Sequence, residues 1–78
     1  MKYTVDELNG AIITTSLDNK YLLQKGTKHG HLNYIDTCDN QVYENWNTAN
    51  YISDVITSGE YIVNFPNNKK PIKYEVYN

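Results

Sequence analysis

The stretch NWNTANYISDVITSG, residues 45–59, contains the one convincing helix pattern of the chain. Its larger apolar residues fall at i, i+1, i+4 and i+5, which places them on one helical face: Tyr51, Ile52, Val55 and Ile56. Gly59 follows this pattern at the point where many helices end in a left-handed residue. We therefore predict an α-helix over about residues 48–58.

The start of this helix has two candidate N-cap residues. If Asn47 is the cap, Trp46 becomes N′ and Tyr51 becomes N4, and these two positions form a hydrophobic staple. If Thr48 is the cap, N4 becomes Ile52 and Trp46 loses its assigned partner. Because Asn ranks above Thr as a cap, we favour Asn47 and interpret Trp46 as a structural pin at the helix start.

Segments rich in β-branched and aromatic residues predict strands on both sides of the helix. They cover residues 11–17, 20–25, 31–36 and 41–45 before it, and residues 60–65 and 71–77 after it. Short links between neighbouring strands predict antiparallel pairing. A Thr4-x-x-Glu7 capping box predicts one short helical turn ahead of the first strand.

These elements together predict a two-layer α+β fold. It contains an antiparallel β-meander of about four strands, the single α-helix and then a C-terminal β-hairpin. One helix covers only one face of such a sheet, so the other face is left wet or meets a second molecule. The length of 78 residues predicts a single small globular domain over residues 1–78.

The net charge of −2 is unevenly distributed. Residues 29–68 contain no Lys or Arg and hold five acidic residues: Asp36, Asp39, Glu44, Asp54 and Glu60. This pattern predicts either an ordinary solvated surface or an acidic face that steers the protein towards a basic partner. The chain has no arginine, which is the side chain that best recognises phosphates and guanine edges. We therefore expect no direct binding of nucleic acid.

No group of residues has the pattern of an active site. Cys38 is the only thiol, and the negative charge of the acids beside it disfavours a reactive thiolate. His29 and His31 can share a strand face, but zinc requires three or four ligands. Phosphate-loop and nucleophile-elbow motifs are absent from the sequence. We expect a non-enzymatic protein with no metal and no cofactor.

The sequence also suggests where the protein resides. A single cysteine excludes an intramolecular disulfide, and small secreted domains usually carry several. Acidic residues interrupt any signal-like N-terminal run, and no stretch approaches the ~18 apolar residues of a membrane span. We therefore expect a cytoplasmic protein with no membrane partner.

The remaining class of function is binding to another protein. Eight Tyr and one Trp are more aromatic residues than one helix covers, and Tyr and Trp are enriched in interface cores and hot spots. The binding residues that we predict surround the helix start and follow the acidic segment: Tyr43, Glu44, Trp46, Asn50, Asp54 and Glu60.

In composition and size the chain resembles the small proteins of bacteriophages and mobile elements in low-GC hosts. The resemblance implies an inhibitor or accessory protein that docks an acidic, Tyr-rich face on a basic surface of a host or defence protein, in the bacterial cytoplasm. Two alternatives stay open. One is a structural or self-associating subunit, such as a homodimer. The other is a single-stranded nucleic-acid binder that stacks bases on Tyr21, Tyr34 and Tyr43, on successive strands.

Overall fold

A computed structural model describes residues 2–65 of the chain. Its elements are α1 (Val5–Leu8), β1 (Ile12–Thr14), β2 (Lys20–Lys25), β3 (His31–Asp36), β4 (Val42–Thr48), α2 (Ala49–Thr57) and β5 (Ile62–Asn64). The strands form one antiparallel sheet in the order β4-β3-β2-β1-β5. The predicted α+β class, with a meander followed by the main helix, is confirmed. The second strand of the predicted hairpin, residues 71–77, lies outside the described residues.

The register of β4 against β3 shifts partway along the pair. Tyr34 pairs with Tyr43, whereas Leu32 pairs with Asn47, so β4 has two extra residues between these pairs. Asn45 lies inside the bulge with φ 50, and its backbone N–H donates to Asn33 Oδ1 at 2.7 Å. Asn is among the residues that best tolerate this left-handed conformation. The bulge makes β4 longer than the predicted residues 41–45.

Both helices pack on the same face of the sheet. Leu8 of α1 and Ile52 of α2 are fully buried in one cluster with three sheet residues: Ile13, Leu23 and Leu32. The opposite face carries an apolar row that the register aligns across four strands: Ile12, Leu22, Ile35 and Val42. These side chains are half-buried or exposed. The core therefore lies between the sheet and the helices.

The N-cap of α2 is Thr48, so the predicted Asn47 cap is wrong. Thr48 has extended backbone (φ −82, ψ 158), and its Oγ1 accepts a hydrogen bond from the Tyr51 N–H at 3.1 Å. Asn47 does not cap the helix because its side-chain amide is used inside the fold, where Nδ2 donates to the Tyr34 hydroxyl at 3.0 Å. The staple assigned to Trp46 depended on the Asn47 cap and is wrong with it.

The other end of α2 and the first helix agree with the sequence. Ser58 is the C-cap of α2, and Gly59 follows it with φ 88, as predicted. The capping box of α1 is complete, since Thr4 Oγ1 accepts from the Glu7 N–H and Glu7 Oε1 accepts from the Thr4 N–H.

A buried serine joins the two helical segments. Ser53 Oγ accepts from the Tyr3 N–H at 2.8 Å and donates to the Ala49 carbonyl at 2.7 Å. The polar side chain is thus satisfied in the core. Among residues 2–65, no helix has the length and hydrophobicity needed to cross a membrane.

Candidate protein-binding groove

Four aromatic rings form a continuous row on the helix-covered face of the sheet. Tyr34 of β3 lies beside Tyr21 of β2, with ring centroids 5.3 Å apart. Tyr21 meets Tyr43 of β4 edge to face at 6.4 Å. The Tyr43 ring packs against Trp46 at 5.0 Å. The antiparallel register, which pairs Tyr34 directly with Tyr43, brings these rings together.

The row lines a concave cavity of about 400 Å³, which we call the aromatic groove. Helix α2 and the core leave Tyr21 and Tyr43 only half-buried. Tyr61, in the link between α2 and β5, and the turn of residues 15–19 form the other walls. At the mouth, Leu17 is 82% and Trp46 is 57% exposed. Large apolar side chains with such exposure in a concave site are typical of a binding surface.

Tyr34 forms a fixed floor of the groove. Its side chain is buried, and its hydroxyl oxygen accepts a hydrogen bond from Asn47 Nδ2 at 3.0 Å. Burial raises the pKa of this hydroxyl well above the ordinary value of 10.0, and the hydrogen bond from Asn47 offsets only part of the rise. Tyr34 is therefore neutral and held in one place at physiological pH.

Two carboxylates lie near one end of the groove. Asp36 pairs with Tyr21 across β3 and β2 and shares its face of the sheet. The pKa of the Tyr21 hydroxyl is raised, first by burial, then by the negative charge of Asp36, and to a smaller extent by Asp39. This end of the aromatic groove is consequently negative.

The β3–β4 turn holds both carboxylates in place. Asp36 Oδ1 accepts from the Cys38 N–H at 2.8 Å, and Asp39 Oδ1 accepts from the Gln41 N–H at 2.9 Å. The ion pairs of residues 2–65 use other acids, so within that range no lysine neutralises Asp36 or Asp39.

The predicted binding residues divide between the groove and other surfaces. Tyr43 and Trp46 line the groove together. Glu44 lies between them in sequence but is exposed and outside the groove lining. Trp46 is therefore a wall of the groove and not a helix staple. Its ring packs against the Tyr43 ring, and with Thr48 as the N-cap Trp46 is not at the N′ position.

The other three predicted residues lie on or just after α2. Asn50 and Asp54 are exposed on the helix, and the Asp54 carboxylate pairs with Lys2 Nζ at 2.8 Å. Glu60 is exposed in the link after α2, beside the groove residue Tyr61. None of these three residues lines the groove with Tyr43 and Trp46.

Several residues of the groove lining were absent from the predicted set, among them Leu17, Tyr21, Tyr34 and Tyr61. The two carboxylates beside the groove, Asp36 and Asp39, were absent from it as well. The register of β2 against β3 pairs Lys25 with Leu32 and therefore Tyr21 with Asp36. Pairing outward from the predicted loop of residues 26–30 would instead place Tyr21 opposite Ile35, so the sequence alone did not bring Asp36 to the groove. Tyr61 enters the groove through the path of α2 across the sheet, for which the sequence also offers no signal.

The two histidines lie at the opposite end of the strands, in a second cleft of about 570 Å³ between α1 and the loop of residues 26–30. His31 Nδ1 lies 3.0 Å from the His29 carbonyl oxygen. In residues 2–65, no three His, Cys, Asp or Glu side chains are grouped as a metal site requires. Cys38 is an exposed free thiol on the β3–β4 turn.

The aromatic groove is suited to binding through ring contacts, apolar burial and negative charge. No protein-family model, curated protein or solved structure matches the chain.

Proposed function

We propose that the protein is a non-enzymatic binding module that docks the aromatic groove on a basic surface of another protein. The observation that carries the proposal is the row of four rings in a concave site, with Trp46 exposed at its mouth. Rigid aromatic side chains bury a large area at low entropic cost, which is why Tyr and Trp dominate binding hot spots.

The acidic end of the groove supports a basic partner. Asp36 and Asp39 lie in the long segment that lacks Lys and Arg, and no ion pair within residues 2–65 neutralises them. Negative charge beside an aromatic anchor accelerates the encounter with a basic surface and disfavours acidic competitors.

Composition and size support a narrower form of the proposal. In this form the protein is a small inhibitor or accessory protein of phage or mobile-element type, and its partner is a host or defence protein in the bacterial cytoplasm. The acidic surface would then compete with the acidic ligand of a basic site, such as a nucleic-acid groove of the partner.

Affinity capture from a low-GC bacterial lysate, with matched variants, tests the proposal. Trp46→Ala should abolish capture of the partner, while its melting temperature stays within a few degrees because the ring is largely exposed. Phe65→Ala removes a ring that packs against Tyr3 away from the groove and should retain capture. Equal capture by wild type and Trp46→Ala would show that the groove is not the docking site.

A second candidate is a self-associating subunit, favoured by the apolar row on the sheet face opposite the helices. Val42, in the edge strand β4, is 50% exposed there, and Ile62, in the opposite edge strand β5, is 69% exposed. Sedimentation at increasing concentration distinguishes the two functions. A dimer that Val42→Lys dissociates and Trp46→Ala leaves intact would favour self-association through this face.

A further inference from the structure

We propose that the aromatic groove receives one arginine or lysine side chain of the partner, with its methylene stem on the rings and its cationic end near Asp36. This inference rests on the proposed protein-binding function and specifies what enters the groove. The occupant follows from the geometry of the rings, from the position of the carboxylates and from the charges that surround them.

The rings are arranged as walls and not as a parallel stack. The Tyr21 and Tyr43 planes are 82° apart, and the Tyr43 and Trp46 planes are 56° apart. A group that enters the groove beside these contacting rings therefore meets ring surfaces in more than one orientation. A cation within about 6 Å of such faces is attracted by the ring quadrupoles, most strongly by that of Trp.

The carboxylates lie where the end of a long side chain would arrive. Asp36 stands opposite Tyr21 in the strand pair, which places their Cβ atoms about 5 Å apart. The negative charge of Asp36 acts on the Tyr21 hydroxyl and contributes to its raised pKa. Aromatic walls with a carboxylate at one end suit an apolar stem that ends in a cation.

No lysine of the described chain occupies this position. Within residues 2–65, Lys2 and Lys25 pair with acids outside the groove. Lys20 is next to Tyr21 in sequence, but its Nζ lies 3.4 Å from Thr14 Oγ1 and 3.8 Å from Asp18. Lys28 lies at the other end of the strands, in the cleft beside α1. Within residues 2–65, no lysine therefore supplies a cation to this end of the groove.

Trp46, the only tryptophan of the chain, reports directly on this site. The probes are acetylated nine-residue Gly-Ser peptides with a single central arginine, lysine, citrulline or norleucine, titrated to millimolar concentration. Trp46 fluorescence and backbone amide NMR shifts measure binding to the full chain. We expect the arginine and lysine peptides to bind about 10-fold more tightly than the two neutral peptides, from cation–π attraction and charge together.

Two variants test whether the charge of Asp36, and not a change in the fold, governs peptide binding. Asp36→Asn keeps an oxygen that can accept from the Cys38 N–H, so the turn should persist. It should weaken binding of the arginine peptide about 3- to 10-fold and leave binding of the norleucine peptide unchanged. Glu44→Gln, an equal loss of charge outside the groove, should leave all four affinities unchanged.

Two results would overturn the inference. Equal binding of the norleucine and arginine peptides would mean that the groove takes an apolar side chain. Failure of all four peptides to perturb Trp46 would mean that no single side chain enters. In both cases the protein-binding proposal stands as long as partner capture still depends on Trp46. It falls, together with this inference, when Trp46→Ala captures the partner as wild type does.

Discussion

Three consecutive residues at the end of β4 contact three different parts of the molecule. Trp46 lines the aromatic groove, Asn47 donates to the Tyr34 hydroxyl, and Thr48 caps α2. Cap preference alone favoured Asn47, because Asn ranks above Thr. The fold overrides this preference because the Asn47 side chain donates to the Tyr34 hydroxyl, so the same side chain does not also reach the helix end.

Because Thr48 caps α2, we expect removal of its hydroxyl to reduce the stability of the protein measurably. Thr48→Ala should lower the free energy of unfolding by about 1 kcal/mol, because the Tyr51 N–H loses its acceptor. Thr48→Ser retains the oxygen and should stay close to wild type. Urea denaturation of the three proteins measures the difference. Equal stability of the Ala and Ser variants would contradict the capping role.

Tyr34 predicts a loss of stability at alkaline pH. Its folded-state pKa lies above the unfolded value of 10.0 because the side chain is buried. The unfolded chain therefore releases this proton first as the pH rises. The stabilising contribution is complete below pH 10.0 and declines above it, by up to about 1.4 kcal/mol per pH unit.

Tyr34→Phe removes this titration. Urea unfolding between pH 8 and 11 should show a shallower decline for the variant than for wild type, although Phe also loses the hydrogen bond from Asn47. Tyr21, whose pKa is also raised, leaves a smaller residual slope. Parallel pH profiles for the two proteins would show that the hydroxyl is not held neutral by the fold.

At the scale of elements, β2 carries a matched pair of leucines on its two faces. Leu23 is 1% exposed beneath the helices, whereas Leu22 lies in the apolar row of the opposite face. Leu23→Ala should cost about 2 to 5 kcal/mol of unfolding free energy, because it leaves a cavity in the core. Leu22→Ala should cost clearly less.

Thermal and urea unfolding of the two leucine variants measure this contrast. Similar losses would mean that the opposite face is as well packed as the core. A partner or a second copy would then cover the apolar row, and concentration-dependent stability would reveal it.

Comparison of the predicted and observed strand ends shows where local sequence signals were sufficient to predict the secondary structure. β2 and β3 begin and end where the sequence predicted, because turn residues and glycines bracket them. Asp18 supports this directly, since it adopts φ 66 in the turn before β2. β4 was predicted too short because Asn45 looked like the end of a strand. In the fold it is the left-handed residue of a bulge, which only pairing with β3 requires.

For the whole molecule, the sequence predicted part of the candidate site. Tyr43 and Trp46 were predicted because they are adjacent to the helix and typical of interfaces. The remaining groove residues come from β2, from β3, from the turn after β1 and from the link after α2. Their meeting depends on the crossing of α2 from β4 to the far edge of the sheet, where β5 pairs with β1. The path of α2 across the sheet is set by tertiary packing and cannot be predicted from any short segment of the sequence.

The distribution of charge over the whole molecule yields a further prediction about association rates. Asp36→Asn with Asp39→Asn changes the net charge from −2 to 0. The double variant should slow association with the captured partner several-fold, because the charge removed lies at the groove. Glu44→Gln with Asp54→Asn makes the same change in net charge on surfaces outside the groove, where Asp54 is already paired with Lys2.

Stopped-flow association at low salt, at about 0.15 M and at about 1 M salt separates local from global electrostatics. Charges within a Debye length of roughly 8 Å interact at physiological salt, and those farther apart are screened. The Asp36→Asn/Asp39→Asn variant should therefore lower the association rate constant at 0.15 M salt more than its matched control does. At 1 M salt the rate constants of all the proteins should become equal. If both double variants slow association equally at every salt concentration, net charge governs the encounter and the acidic end of the groove has no steering role.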